Sequence, residues 1–79
     1  MPSALLESMR RNPAGDWRIR DVEALCIEYG LSFRFGKGSH AHMRHPVARE
    51  ILTIPAHRPI KPVYIRKLVR YIDTYGGSR

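Results

Sequence analysis

The residues best suited to chemistry in this chain are its four histidines, all of which lie between His40 and His57. An imidazole titrates near neutral pH, so it can take a proton from a hydroxyl group or give one to a leaving oxygen. His40 directly follows Gly36-Lys37-Gly38-Ser39, a run whose backbone amides and lysine can hold a phosphate group. The spacing therefore favours proton transfer on a bound phosphate ester, with His40 as the catalytic residue.

Further side chains near His40 are candidates for holding the phosphate. Alternate residues of a strand share a face, so we expect His42 and Arg44 on the same face as His40, with His42 about 7 Å along the strand. Two groups at that spacing can flank one phosphate. The predicted phosphate-binding residues are Lys37, Gly38, Ser39, His42 and Arg44.

The same histidines have a second interpretation as metal ligands. His40 and His42 on one strand face are a possible zinc pair, which His45 or His57 would have to complete. His45 has the opposite parity, and the pattern shows no outer hydrogen-bond partners for such a site. A hard cation would instead need carboxylates, and residues 31–79 contain only two acidic residues. We therefore expect neither a metal nor a cofactor.

Three segments that must position these side chains have the apolar spacing of an amphipathic helix. The clearest is 18–29, where Gly30 is placed to end the helix in a left-handed conformation. Another is predicted from Pro62, which a first helical turn tolerates, to Gly76-Gly77. Ser3 is a suitable N-cap for a short helix over 4–11. The apolar positions are Leu5, Leu6 and Met9; Val22, Leu25, Cys26 and Tyr29; and Ile65, Leu68, Val69 and Ile72.

Between the two longer helices, apolar and polar residues alternate as in strands with one buried face. The alternation predicts strands over 31–35, 39–45 and 50–54, followed by a loop from Pro55 to Pro59 that is too rich in proline for a strand. Thr53 should point outward. Both helices can bury their apolar faces against the inner side of this sheet, which predicts an α+β fold with a three-stranded antiparallel sheet. The predicted inner face comprises Leu31, Phe33, Phe35, Ala41, Met43, Leu52 and Ile54.

The charge of the chain is strongly basic and unevenly distributed. There are 14 Lys and Arg against 7 Asp and Glu, a formal net charge of +7. Residues 31–79 carry all of the excess, and most of the basic residues are arginines, which suit bidentate phosphate contacts. Such a field attracts polyanions, so nucleic acid is the expected partner. Solubility alone, or an acidic protein partner, would also account for the charge.

Length and composition restrict the remaining possibilities. A chain of 79 residues has room for one small domain. We expect no contact with a membrane, because no apolar run approaches the roughly 20 residues needed to span a bilayer. The single cysteine, Cys26, cannot form an internal disulfide, and the first residues lack the order of a secretory signal. A cytoplasmic location is the expectation.

The stretch around His40 resembles the signature of the HicA family of toxins. The run from Phe35 to Pro46 reads FGKGSHAHMRHP and contains a Gly-Ser-His, as in that family, followed by an Arg-His-Pro. Leu52-Thr53-Ile54-Pro55 resembles the family's third strand, and Ile60-Lys61-Pro62 resembles the start of its last helix. The resemblance covers about residues 18–75. Val47-Ala48-Arg49 departs from it, because most members have Asp-Gly or a similar pair there.

The resemblance implies a double-stranded-RNA-binding-like fold of order α-β-β-β-α. It also implies a ribosome-independent mRNA interferase that needs no metal and is neutralised by a HicB-type antitoxin. The family's catalytic histidine corresponds to His40 alone. We accordingly expect an N-terminal extension over 1–15 and an RNA-binding and ribonuclease domain over 16–79. The expected partners are mRNA and the antitoxin protein.

A non-catalytic module that binds duplex RNA or DNA is the alternative function. It would account for the charge and the fold through shape and phosphate contacts. It gives no reason for a histidine directly after the glycine-rich turn. A further possibility is an adaptor whose basic face serves only to dock an acidic protein.

Overall fold

The computed structural model describes residues 3–76, which form three helices and one antiparallel sheet. The predicted α+β fold, with the order helix, three strands, helix after an N-terminal helix, is confirmed. Of the predicted closing pair, Gly76 ends the last helical segment, and Gly77 lies outside the described residues. The elements are α1 (Ala4–Arg11), α2 (Ile19–Tyr29), β1 (Ser32–Phe35), β2 (His40–Arg44), β3 (Leu52–Pro55) and α3 (Pro62–Tyr71), which a short π-helical segment, Ile72–Gly76, extends.

The sheet has the strand order β1-β2-β3, and its register places the apolar residues on one face. Phe33 lies opposite Met43, and Ala41 lies opposite Ile54. The helices cover this face; Cys26 of α2, for example, contacts Met43 at 3.6 Å between the two sulfur atoms. We call the other side, which no helix covers, the open face.

The sheet differs from the sequence prediction at Phe35 and at the ends of its strands: β1 begins at Ser32 rather than at residue 31, and β2 covers His40–Arg44 rather than 39–45. Phe35 has the predicted parity, but its side chain is 56% exposed because it ends an edge strand beyond the reach of the helices. The third strand begins at Leu52, since Glu50 and Ile51 belong to the preceding loop, and it includes Pro55. Proline is tolerated there because β3 is an edge strand and Pro55 is its last residue.

Helix α1 packs into the same core as the rest of the chain. Its apolar residues Leu6 and Met9 are buried, and the Ser3 hydroxyl caps the helix by accepting a hydrogen bond from the Leu6 amide. The guanidinium of Arg10 donates two hydrogen bonds, of 2.7 and 2.9 Å, to the carboxylate of Asp73. The segment predicted as an extension is therefore attached to the C-terminal helical region.

Candidate active site

The turn between β1 and β2 gathers the first group of predicted site residues. The Gly36 amide donates to the carbonyl of His40 at 2.8 Å, so the two strands join through Lys37, Gly38 and Ser39. Gly38 has a φ of +65°, in the left-handed region that favours glycine. All three turn residues are exposed. The turn thus presents an accessible lysine and several backbone amides beside His40.

His40 is the first residue of β2, and its side chain is exposed on the open face. It lies opposite Pro55 of β3, and the adjacent Ala56 amide donates to the carbonyl of Ser39. The turn is therefore tied to the end of the third strand as well as to the first. Within residues 3–76 the His40 ring makes no hydrogen bond, so both of its nitrogens are available to a ligand.

His42 lies on the same open face but in a different environment. Its Nδ1 is 2.9 Å from the hydroxyl oxygen of Thr53, the residue opposite it on β3. Its Nε2 lies against the backbone of Gly36, where a β-carbon would collide with the ring. The sequence patterns indicated Gly36 only as part of the turn, not as a neighbour of His42, and did not indicate Thr53 as part of the site. The outward parity of Thr53 was the signal that would have found it.

Arg44 stands at the far end of β2, about 13 Å along the strand from His40 by the usual rise per residue. Its guanidinium donates at 2.8 Å to the carbonyl of Ala48 and so braces the loop between β2 and β3. Arg34 shares the open face, opposite His42. Together these arginines border a shallow groove of about 260 Å³, which is lined by Ser32, Phe33, Arg34, His42, Met43, Arg44 and Ile51.

His45 and His57 lie outside the strands, in the loops that follow β2 and β3. The His45 ring stacks on Tyr75 and accepts a hydrogen bond from the Val47 amide. His45 also donates its own amide to the hydroxyl of Tyr71. His57 is exposed in the loop after β3. No three His, Cys, Asp or Glu side chains of residues 3–76 come together as a metal site would require, so the structure supplies no third ligand for the zinc interpretation.

The electrostatic character of the open face is uniformly basic. Arg34, Lys37 and Arg44 lie on it or at its turn, and the chain has no acidic residue between Leu31 and Arg49. Cys26, a residue type that could act as a nucleophile, lies in the core, where burial raises the pKa of its thiol to about 12. Among the groups considered, the histidines of the open face are thus the ones placed to transfer protons.

The comparisons with known proteins identify the family of the chain. Residues 19–73 match a family model described as the HicA toxin of bacterial toxin–antitoxin systems. Neither the curated proteins nor the solved structures contain a match to the chain. Within residues 3–76, no helix combines the length and the apolar character needed to cross a membrane.

Proposed function

The chain belongs to the HicA family of toxins from bacterial toxin–antitoxin systems, and on that premise we propose that it is an endoribonuclease that cleaves mRNA without a metal ion. The observation that carries the proposal is the position of His40. His40 is exposed and directly follows a turn whose amides at residues 37–39 donate no hydrogen bond within residues 3–76. It lies on a face whose strands contain no acidic residue. A scissile phosphate bound at this turn would lie within reach of the imidazole.

The proposed chemistry assigns separate tasks to binding and to proton transfer. Lys37 and the amides near Gly38 and Ser39 hold the phosphate, as backbone nests and lysines commonly do. His40 serves as general base towards the ribose 2′-hydroxyl, giving a cyclic phosphate, or as general acid towards the leaving 5′-oxygen. Proton transfer of this kind contributes about 10²–10⁴-fold in rate. His42 contacts the phosphate from the same face, and Arg44 extends the basic surface along β2.

HicA toxins act together with antitoxins, and we propose a HicB-type antitoxin as the partner of this one. The antitoxin covers the open face and buries His40, since blocking the phosphate-binding turn hides the activity until the antitoxin is degraded. Toxin, antitoxin and mRNA meet in the cytoplasm under this proposal. A complex that leaves His40 accessible to solvent and still suppresses cleavage would contradict it.

The assignment of His40 is tested with purified His40→Ala protein and a transcript in the presence of EDTA. We expect the wild-type protein to cleave the transcript and the variant to lose about 10²–10⁴-fold in rate, with an unchanged melting temperature because the side chain is exposed. His57→Ala is the matched histidine control and should cleave like the wild type. Cleavage by His40→Ala at the wild-type rate would refute the assignment.

The same experiment separates the enzyme from a non-catalytic binding module. A module that only binds nucleic acid would give a salt-sensitive gel shift with intact RNA. Fragments that depend on His40 would exclude this alternative.

A further inference from the structure

The open face contains a second imidazole whose orientation is fixed by its neighbours. We propose that His42 is the general acid of the reaction, which protonates the leaving 5′-oxygen while His40 takes the proton of the 2′-hydroxyl. The inference rests on the proposed ribonuclease function and assigns a second proton-transfer group, so that one histidine need not perform both transfers.

The space above Gly36 accommodates the ring of His42. The Gly36 amide donates to the His40 carbonyl, which places Gly36 beside His40 at the turn end of the sheet. Because Gly36 has no side chain, the open face has a notch there, and Nε2 and Cδ2 of the His42 ring lie where a β-carbon of residue 36 would stand. His42 is therefore directed towards the phosphate-binding turn and towards His40.

A hydrogen bond to Thr53 also orients the His42 ring. The Thr53 hydroxyl oxygen lies 2.9 Å from Nδ1 and can accept its proton, leaving Nε2 as the nitrogen that exchanges protons with a substrate. An acceptor at Nδ1 suits the doubly protonated ring, whose N–H groups are the stronger donors. The His40 ring has no such partner within residues 3–76, so both of its nitrogens are open to the substrate, as a base requires.

The other candidates for the second group are placed less well. His45 lies beyond the far end of β2, and its Nδ1 is occupied by the Val47 amide. His57 is exposed in the loop that follows β3. Lys37 stands on the turn itself, where its charge serves to hold the phosphate. The two histidines, whose α-carbons stand about 7 Å apart on one strand face, can instead flank a single phosphate.

In the proposed step, His40 gains one proton and His42 gives one up. The 2′-oxygen forms a bond to phosphorus as His40 accepts its proton, and the bond between phosphorus and the 5′-oxygen breaks. Nε2 of the His42 imidazolium passes its proton to that oxygen, which leaves as a 5′-hydroxyl, and the other fragment carries a 2′,3′-cyclic phosphate. Exchange with water returns the proton to His42 and removes it from His40.

The test uses an RNA oligonucleotide that contains a cleavage site mapped with the wild-type protein. A second oligonucleotide carries sulfur in place of the bridging 5′-oxygen at that site, because a thiolate leaves without a general acid. We expect His42→Ala to be about 10²–10⁴-fold slower on the normal RNA and to recover most of that loss on the sulfur substrate. His40→Ala should remain slow on both substrates.

The pH profile of the rate and substitutions at two neighbouring residues distinguish an acid from a residue that only supports the structure. The wild-type rate should fall at high pH as the acid loses its proton, and His42→Ala should lack this decline. Gly36→Ala displaces the His42 ring and should therefore slow cleavage when it is made in the wild-type protein. Made in the His42→Ala protein, the same change should have little further effect on the rate, because the effects of coupled sites are not additive. Thr53→Val should slow the reaction, whereas Thr74→Val, a matched change on the exposed side of the C-terminal segment, should not.

The outcomes separate the two proposals. A wild-type rate for His42→Ala on normal RNA, or an equal defect on both substrates, would overturn the role of His42 and leave that of His40 standing. An absence of RNA cleavage by the wild-type protein, or full activity of His40→Ala, would instead overturn the proposed function itself.

Discussion

At the scale of single residues, the four histidines differ in what surrounds them. His40 is exposed and unpaired within the described part of the chain, while His42 is held between Thr53 and the Gly36 backbone. His45 stacks on Tyr75 and helps to close a loop. Of the four, only His40 and His42 lie on a strand of the sheet in the described part of the chain, and they form one pair of rings on the open face.

Cys26 allows a prediction at the same scale. Its side chain is fully buried, and desolvation raises the pKa of the thiol to about 12, so little thiolate forms at neutral pH. We expect a thiol-reactive dye at pH 8 to leave the folded protein unlabelled over the time in which it labels a free thiol. Unfolding in guanidinium should expose one reactive thiol per chain. Rapid labelling of the native protein would contradict the burial of this residue.

At the scale of the elements, strand parity sets the site and tertiary contacts set the ends of the strands. The alternation in β2 correctly placed Ala41 and Met43 inside and the two catalytic candidates outside. The third strand was predicted to begin at residue 50 but begins at Leu52. The Tyr71 hydroxyl of α3 donates a hydrogen bond to the Glu50 carbonyl and holds that segment in the loop. A contact between elements so distant in sequence leaves no trace in the local pattern.

The docking of α1 gives a prediction of pH dependence. The paired Arg10 guanidinium lowers the pKa of the Asp73 carboxyl in the folded protein. The ion pair therefore stabilises the fold above the unfolded pKa of about 3.9, and this stabilisation disappears as the pH falls through the lower folded value. Because both side chains are largely exposed, we expect about 0.2–1 kcal/mol at neutral pH and low salt.

The measurement is the melting temperature of wild type and Asp73→Asn between pH 2 and pH 7. The wild type should melt a few degrees higher at pH 7, since about 1 kcal/mol corresponds to roughly 4–8 °C in a domain of this size. The difference should shrink below about pH 4, where the carboxylate begins to gain its proton. Asp16→Asn, in an exposed single contact with Arg18, is the control. A difference that persists at pH 2 would show that charge is not its cause.

At the scale of the whole molecule, the open face and its turn carry the basic residues Arg34, Lys37 and Arg44, and the strands contain no carboxylate. Basic residues also lie elsewhere, with Arg66, Lys67 and Arg70 on α3. The described part of the chain extends 34 Å in its longest dimension, along which the RNA of the proposed function would lie. We expect its association to depend mainly on phosphate contacts, because the open face and its turn carry basic side chains.

This view predicts a steep dependence of RNA affinity on salt. For single strands, log K falls against log salt with a slope of about −0.7 for each phosphate neutralised. Measured on the His40→Ala protein, which preserves the RNA, the further change Lys37→Ala should reduce the slope by about that amount. Arg20→Ala, at an exposed position of α2, should leave the slope unchanged. Equal slopes for both double variants would show that the turn does not contact phosphate.

The sequence by itself determined the order of the elements and the side of the sheet on which His40 lies. Both follow from short-range physics, because residues three or four apart share a helix face and alternate residues share a strand face. Gly38, with its positive φ, and Gly30, which ends α2 in the left-handed conformation, were recognisable for the same reason.

Only the tertiary structure decided which groups surround each histidine. The contact of His42 with Thr53 joins residues on separate strands, and the docking of α1 on Asp73 joins opposite ends of the chain. The exposure of Phe35 likewise depends on where the helices end above the sheet, not on its parity. Such contacts arise when elements pack together, and packing depends on shape in three dimensions, which the spacing of residue types along one chain does not encode.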